Sequence, residues 1–166
     1  MCPMPVLTDP VRHGWAEIGG RRLHHLDWGC SGRPIVCIHG VTSSAWVWHH
    51  VARELGRDGR VIAPDLRGHG ESGWAPTDAY RTIDHAADVA AVMTGPVDLV
   101  GSSWGALVAL AMAAQRPEMV RRLVLVDVEP PFEQGEADVL PGPPASPMST
   151  SRRPGGRPTT QALLRI

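Results

Sequence analysis

A serine flanked by glycines is the residue in this sequence best placed to do chemistry. Residues 101–105 read Gly-Ser-Ser-Trp-Gly, between the apolar run "PVDLV" and the alanine-rich run "ALVALAMAA". A sharp turn from a strand into a helix raises the central side chain above a sheet, and small flanking residues let the two elements approach closely. The spacing therefore predicts that Ser103 is a nucleophile at such a turn.

Two backbone amides are candidates for binding the oxyanion that attack by Ser103 would create. Trp104 would begin the helix, where the helix dipole favours negative charge. Val41 lies in His39-Gly40-Val41, directly after the apolar run "PIVCI". We expect His39 to order this loop by a local hydrogen bond rather than to act as a base. The residues expected to line the site are His39, Gly40 and Trp46.

The elements that must position these residues follow from the apolar pattern. Continuous apolar runs are typical of strands that are buried on both faces of a parallel sheet, and they cover 34–40, 59–65, 96–101 and 121–127. A hairpin with a Gly19-Gly20 turn is expected from 15–18 and 22–27. Helices are expected at 45–55, 82–93 and 104–115, the first capped by Thr42, Ser43 or Ser44. This alternation predicts an α/β fold with a mostly parallel sheet and helices on both faces.

The composition excludes several classes of partner. The chain has 166 residues and a formal net charge of −1, which predicts no strong attraction to nucleic acid or to an anionic membrane. The three cysteines show no metal-binding spacing, and no phosphate-binding or dinucleotide-binding loop is present, so we expect neither a metal nor a cofactor. The N-terminus has prolines where a signal peptide needs an apolar segment, which predicts a cytoplasmic protein.

The last part of the chain differs from the rest. Residues 129–166 are crowded with proline, glycine and arginine and show no hydrophobic periodicity. Such a segment buries too little apolar surface to offset the entropy lost on ordering. We therefore predict a partial α/β core over residues 1–128 and a disordered tail over residues 129–166.

Three segments together resemble serine hydrolases of the α/β-hydrolase superfamily. They are "IHGVTSSAWVW", "VIAPDLRGHGESG" and "LVGSSWGALVALAMAAQRPEMVRRLVLVD", and the resemblance extends over residues 14–127. It implies Ser103 as the nucleophile and the amides of Val41 and Trp104 as oxyanion donors. Serine at position 103 argues against the related haloalkane dehalogenases and epoxide hydrolases, which carry aspartate there. The resemblance thus implies an esterase-like enzyme that hydrolyses ester or related acyl bonds, and the tryptophans favour a small uncharged organic substrate.

The same resemblance shows what the sequence lacks. The family's triad runs serine, acid, histidine along the chain, whereas all eight histidines here precede Ser103. Asp127 is the fallback candidate for the acid, although a role in ordering the strand end is the expected alternative. We expect a truncated or frameshifted chain that lacks the cap and the last strands of the fold, with weak or lost activity. The "DLRGHGESG" loop should border the site, with Asp65 and Arg67 paired and His69 turned to solvent or to a neighbour.

A second class of function also fits the sequence. A sheet that ends at residues 121–127 has an unpaired apolar edge strand, which favours association. The alternative is therefore a non-catalytic binding protein or pseudoenzyme fragment, with self-association through this edge.

Overall fold

The computed structural model describes residues 11–29, 31–57 and 59–128, and it contains one six-stranded sheet in the order β1-β2-β4-β3-β5-β6. The strands are β1 Arg12–Ile18, β2 Arg21–Trp28, β3 Pro34–Ile38, β4 Arg60–Pro64, β5 Val97–Ser102 and β6 Val120–Val126. The helices are α1 His49–Leu55, α2 Thr82–Ala91 and α3 Trp104–Gln115, with 3₁₀ turns at Ala45–Trp48 and Pro117–Met119. The predicted disordered tail, 129–166, lies outside the described residues.

The sheet is parallel from β4 through β6 and antiparallel at its start. β3 pairs in parallel with β4 and β5, and β5 pairs in parallel with β6. β1 and β2 form the predicted hairpin, with both turn glycines, Gly19 and Gly20, at positive φ (51° and 75°). That backbone matches the twist of a hairpin and is readily adopted by glycine.

Helices cover both faces of the sheet because side chains alternate along each buried strand. In β3, Val36 and Ile38 join a core with α2 and α3, whereas Cys37 joins a second core that includes Trp48 and Ala52. The predicted α/β class, with a mostly parallel sheet and helices on both faces, is therefore confirmed.

The first predicted helix and its cap are different in the structure. Residues 45–55 divide into a 3₁₀ turn and the short helix α1, and the Ser44 side chain makes no capping hydrogen bond. The Ala45 N–H instead donates to Oδ1 of Asp65, 2.7 Å away at the end of β4. A distant carboxylate thus replaces the local serine or threonine cap, because the charged acceptor makes the stronger hydrogen bond.

The predicted pairing of Asp65 with Arg67 is wrong. Asp65 accepts from the His24 ring and from two backbone amides, while Arg67 reaches α2. The Arg67 guanidinium makes a bidentate pair with Asp88, with both N–O distances 2.6 Å, and it also donates to the carbonyls of Ala79 and Asp84. Hydrogen bonding to Asp88 raises the pKa of Arg67. This pair joins the 65–72 loop to α2.

β6 is the last strand of the sheet among the described residues. β6 pairs only with β5 among the described strands, and Val124 and Val126 on it are 49% and 43% exposed. Leu123 and Leu125 point to the other face and pack against the α2–α3 core. Within the described part of the chain, no helix is long and apolar enough to cross a membrane.

Candidate active site

Ser103 occupies a strained turn between β5 and α3. Its backbone angles are φ 53° and ψ −123°, a conformation that costs a non-glycine residue on the order of 1–3 kcal/mol. Two backbone hydrogen bonds hold it, since the Ser103 N–H donates to the Val126 carbonyl (2.8 Å) and its carbonyl accepts from the Ala106 N–H (2.9 Å). The turn is therefore fixed from both β6 and α3.

The two flanking glycines are required by close backbone contacts. A Cβ at Gly101 would lie 2.3 Å from the Gly105 carbonyl oxygen, and a Cβ at Gly105 would lie 2.4 Å from the Ile38 carbonyl oxygen. Neither position has room for a methyl group. The glycines let α3 start directly against β5 and the end of β3.

The two predicted oxyanion donors belong to the 39–41 loop and to the start of α3. A Cβ at Gly40 would lie 3.3 Å from the Ser103 Cβ and 3.7 Å from its Oγ, so the 39–41 loop reaches the serine. Val41 follows Gly40 and is 55% exposed. Trp104 is the first residue of α3, and an amide at that position has no acceptor within its own helix.

His39 is fully buried behind this loop and orders it. The Leu66 N–H donates to its Nε2 (3.1 Å), which leaves the proton on Nδ1 to be donated to the Gly40 carbonyl (2.7 Å). Burial lowers the pKa of His39 and favours the neutral ring. With both nitrogens engaged, His39 has the local ordering geometry that the sequence predicts.

His69 links the loop that precedes α2 to the 39–41 loop. Its Nε2 lies 2.5 Å from the Val41 carbonyl oxygen and its Nδ1 lies 3.0 Å from the Arg67 carbonyl oxygen. Both partners are carbonyl oxygens, and the single N–H of a neutral ring donates to one of them. This contact holds the peptide on the carboxyl side of Val41, next to the predicted oxyanion donor.

Asp127 and Trp46 are the remaining predicted site residues. Asp127 follows β6 directly, is exposed and has a positive φ of 54°. The Trp46 ring packs near His13 and His49, with centroid distances of 6.2 and 5.7 Å. Among the described residues, no hydrogen bond joins the Ser103 hydroxyl to a histidine.

His85 is a buried histidine that the sequence pattern hides. It lies on the inner face of α2, and its ring meets the Trp104 ring edge-on at 4.3 Å. Neither ring nitrogen has a hydrogen-bond partner in the described residues. Burial, supported by the nearby Arg67 charge, lowers the pKa of His85 to about 4. The alanines of α2, at three- and four-residue spacing, predict an apolar helix face. A histidine beside that face is the sequence signal that could have revealed buried His85.

We expect His85 to make the protein less stable in acid. Its pKa is about 4 in the folded protein against 6.5 for a free imidazole, so between these values the unfolded chain binds more protons. The free energy of unfolding is therefore highest above pH 6.5. It falls by on the order of 2 kcal/mol as the pH drops towards 4, because His85 must remain neutral in the folded protein. Urea unfolding from pH 4.5 to 7.5 should show a smaller pH dependence in His85→Leu than in the wild type.

The exposed His50 supplies the matched control for that measurement. His50→Ala should keep the wild-type pH dependence, because it leaves the buried His85 in place. Equal pH slopes in the wild type and His85→Leu would contradict the assignment to His85.

Comparison with known proteins gives the family of this chain. The family model described as alpha/beta hydrolase fold matches residues 33–150. A haloalkane dehalogenase of Mesorhizobium japonicum is 34% identical over 138 residues, covering 81% of this chain and 44% of that protein. Lipase LipV of Mycobacterium tuberculosis is 43% identical over 111 residues, covering 63% of this chain and 41% of that protein.

Solved structures show the same relationship. The thioesterase domain from the curacin biosynthetic pathway superposes with a TM-score of 0.70 at 31% identity, covering 78% of this chain and 51% of that one. This chain spans about half the length of the curated relatives it matches. The matched family model, these identities and the shared fold lead to one conclusion: the chain belongs to the alpha/beta hydrolase fold family.

Proposed function

We propose that Ser103 is the nucleophile of an acyl-bond hydrolase and that the turn carrying it is a nucleophile elbow. The observation that supports this most directly is the Ser103 backbone, at φ 53° between β5 and α3 with glycine on both sides. A strained serine conformation, held by bonds from two elements, is typical of a group kept for chemistry rather than for stability. A serine here favours acyl transfer over the chemistry of the aspartate-bearing branches of the family.

The proposed reaction has two steps. The Ser103 Oγ attacks the carbonyl carbon of an ester, and the amides of Val41 and Trp104 donate to the oxyanion that forms. Collapse of this intermediate expels the alcohol and leaves an acyl group on Ser103. Water then attacks the acyl group and releases the carboxylic acid.

All eight histidines precede Ser103, whereas the base of the family's triad follows the nucleophile. His39 and His69, on the loops beside the serine turn, are engaged with backbone groups. Asp127 remains the proposed acid, at the end of the strand next to β5. Without a base, only the rate due to the oxyanion donors and binding remains, about 10³ to 10⁴ over water. We therefore propose weak activity for this chain.

The proposed substrate is a small uncharged organic ester. Exposed apolar side chains surround the approach to this end of the sheet, including Val41 at 55% and Trp46 at 46% exposure. Apolar walls favour an uncharged acyl group over a phosphate or nucleotide.

A fluorophosphonate probe and a p-nitrophenyl ester test this proposal. We expect slow labelling of the wild type that Ser103→Ala abolishes and that the neighbouring Ser102→Ala retains. A burst with turnover would identify an active enzyme, and labelling without turnover an acyl-accepting serine that lacks its base. Absence of labelling in folded wild type, or labelling that survives Ser103→Ala, would refute Ser103 as the nucleophile.

A role as a binding protein is the second candidate, and β6 favours it. This edge strand exposes Val124 and Val126 and has unpaired backbone groups along one side in the described structure. We propose self-association through this edge. If binding is the function, sedimentation of the chain without the probe should give a dimer. A monomer that fails to label would argue against both candidates.

A cytoplasmic location is part of the proposal. Cys37 is a buried free thiol, and burial raises its pKa to about 12. A thiol without a disulfide partner is common in reducing compartments.

A further inference from the structure

A second group of polar side chains lies beside the β1–β2 hairpin, at the same carboxyl edge of the parallel strands as Ser103 but displaced from it across the sheet. We call it the histidine cluster, and it consists of His13, His24 and Glu71. His13 Nδ1 lies 2.8 Å from His24 Nε2, and Glu71 Oε1 lies 3.7 and 3.9 Å from those two nitrogens. The three ligand-type atoms thus lie within 4.8 Å of one another. None of them takes part in the proposed serine chemistry.

His24 is locked in one orientation by a buried carboxylate. Its side chain is fully buried, and its Nδ1 lies 2.8 Å from Oδ2 of Asp65, which is 2% exposed. Asp65 also accepts from the N–H groups of Ala45 and Glu71, so its oxygens serve as acceptors on this side of the ring. His24 therefore donates through Nδ1 and directs the Nε2 lone pair at His13 and Glu71. A carboxylate behind a histidine is the usual arrangement behind a metal-ligating imidazole.

The other two members are brought to His24 by backbone geometry. β1 and β2 pair antiparallel with Trp15 opposite His24, so His13 lies on the same face, diagonally adjacent. Glu71 is positioned by its own N–H, which donates to Asp65 (3.0 Å), and by Ser72, whose Oγ accepts from the His24 N–H (2.9 Å). Asp65 thus orients two members of the cluster at once.

We propose that the histidine cluster binds a single zinc ion through His13 Nδ1, His24 Nε2 and Glu71 Oε1. Two imidazoles and one carboxylate form a ligand set used by Zn²⁺, with a fourth position open to water. Tetrahedral ligands about 2.0–2.1 Å from the metal lie roughly 3.3 Å apart, between the distances found here. His13 and Glu71 are about half exposed, so they adjust to the ion and leave it an entry route.

Zinc binding replaces the hydrogen bond between the two histidines. The proton on His13 Nδ1 moves to its Nε2 or to solvent, and both facing nitrogens then donate electron pairs to the metal. The carboxylates of Glu71 and Asp65 offset the charge of the cation.

The site is separate from Ser103. β2 lies three strand positions from β5 in the sheet order, which corresponds to about 14 Å at normal strand spacing. The three ligands come from β1, β2 and the loop after β4. Because the ligands lie on separate segments, no short spacing motif in the sequence predicts this metal site.

Titration of the full-length, chelator-treated chain tests the proposal. We expect calorimetry to show one Zn²⁺ per chain, and Co²⁺ to produce the visible absorption of a tetrahedral nitrogen–oxygen site. Zinc should also raise the melting temperature of the wild type, since it binds the folded state. His13→Ala and Glu71→Gln should each weaken Zn²⁺ binding about tenfold or more and should remove the cobalt spectrum.

His50→Ala is the matched control, because His49 and His50 form another pair of neighbouring histidines, with rings 5.3 Å apart. This variant should bind zinc as the wild type does. His13 and Glu71 are exposed, so circular dichroism should show that their variants remain folded. Failure of the wild type to bind, binding that survives both cluster substitutions, or binding that His50→Ala removes would each overturn the proposal.

Discussion

Gly105→Ala should destabilise the protein by about 3 kcal/mol or more, although alanine is normally the better residue in a helix. Gly105 lies in the first turn of α3, where alanine would otherwise add up to about 1 kcal/mol. Its Cβ would lie 2.4 Å from the Ile38 carbonyl oxygen and 2.5 Å from that of His39. Both contacts are with backbone, so relief requires α3 to move away from β3. Urea unfolding measures the loss.

The same movement should disturb the proposed catalytic turn. α3 begins at Trp104, beside Ser103, so a displaced helix carries the Trp104 amide away from the proposed oxyanion position. Labelling by the fluorophosphonate probe should therefore fall in any Gly105→Ala protein that remains folded. Gly95→Ala is the matched control, because a Cβ at Gly95 meets nothing within 4 Å. Wild-type stability in Gly105→Ala would contradict this account of the turn.

Asp88→Ala should cost about 3–5 kcal/mol of stability because it leaves the buried Arg67 charge without its partner. The two side chains are 4% and 2% exposed, and both N–O contacts are 2.6 Å. The remaining Arg67 bonds go to carbonyls and cannot neutralise the guanidinium. Chemical denaturation should detect the loss as a large shift of the midpoint.

Two further variants separate charge from packing. The double substitution of Arg67→Met with Asp88→Leu removes both members of the pair and should recover much of the stability, because Arg67 no longer leaves a buried charge. Arg21, which lies 3.8 Å from Asp88, loses that contact in both Asp88 variants. Glu54→Ala breaks an exposed pair with Arg57 (3.0 Å) and should have little effect, because solvent screens that contact. An Asp88→Ala protein as stable as Glu54→Ala would show that the buried pair contributes little.

Local pattern was sufficient to predict most of the elements. The apolar runs predict four of the strands and the glycine turn the two hairpin strands, all to within a few residues at each end, and α3 spans the predicted 104–115. The Gly101 and Gly105 positions are predictable as well, because a strand that turns directly into a helix requires small residues at both. These features depend on neighbours in the sequence, and the sequence contains that information directly.

Contacts between distant segments were not predictable in the same way. Asp65 lies two residues before Arg67 in the chain, yet it caps residue 45 and orients His24, while Arg67 pairs with Asp88. The partner that each side chain binds depends on the direction in which that side chain leaves its turn.

The amino-acid sequence by itself determined the family, the alternation of strands and helices, and the serine at the strand-to-helix turn, because apolar periodicity and glycine spacing are local properties. Only the tertiary structure decided which histidine rings are hydrogen-bonded, which are buried and which lie beside other ligand-type side chains. His39 became a loop-ordering group, His85 a desolvated neighbour of Trp104, and His13 and His24 a pair facing Glu71. The chemistry of a histidine depends on burial and on the partners of its two nitrogens, and both are set by segments that lie far apart in the chain.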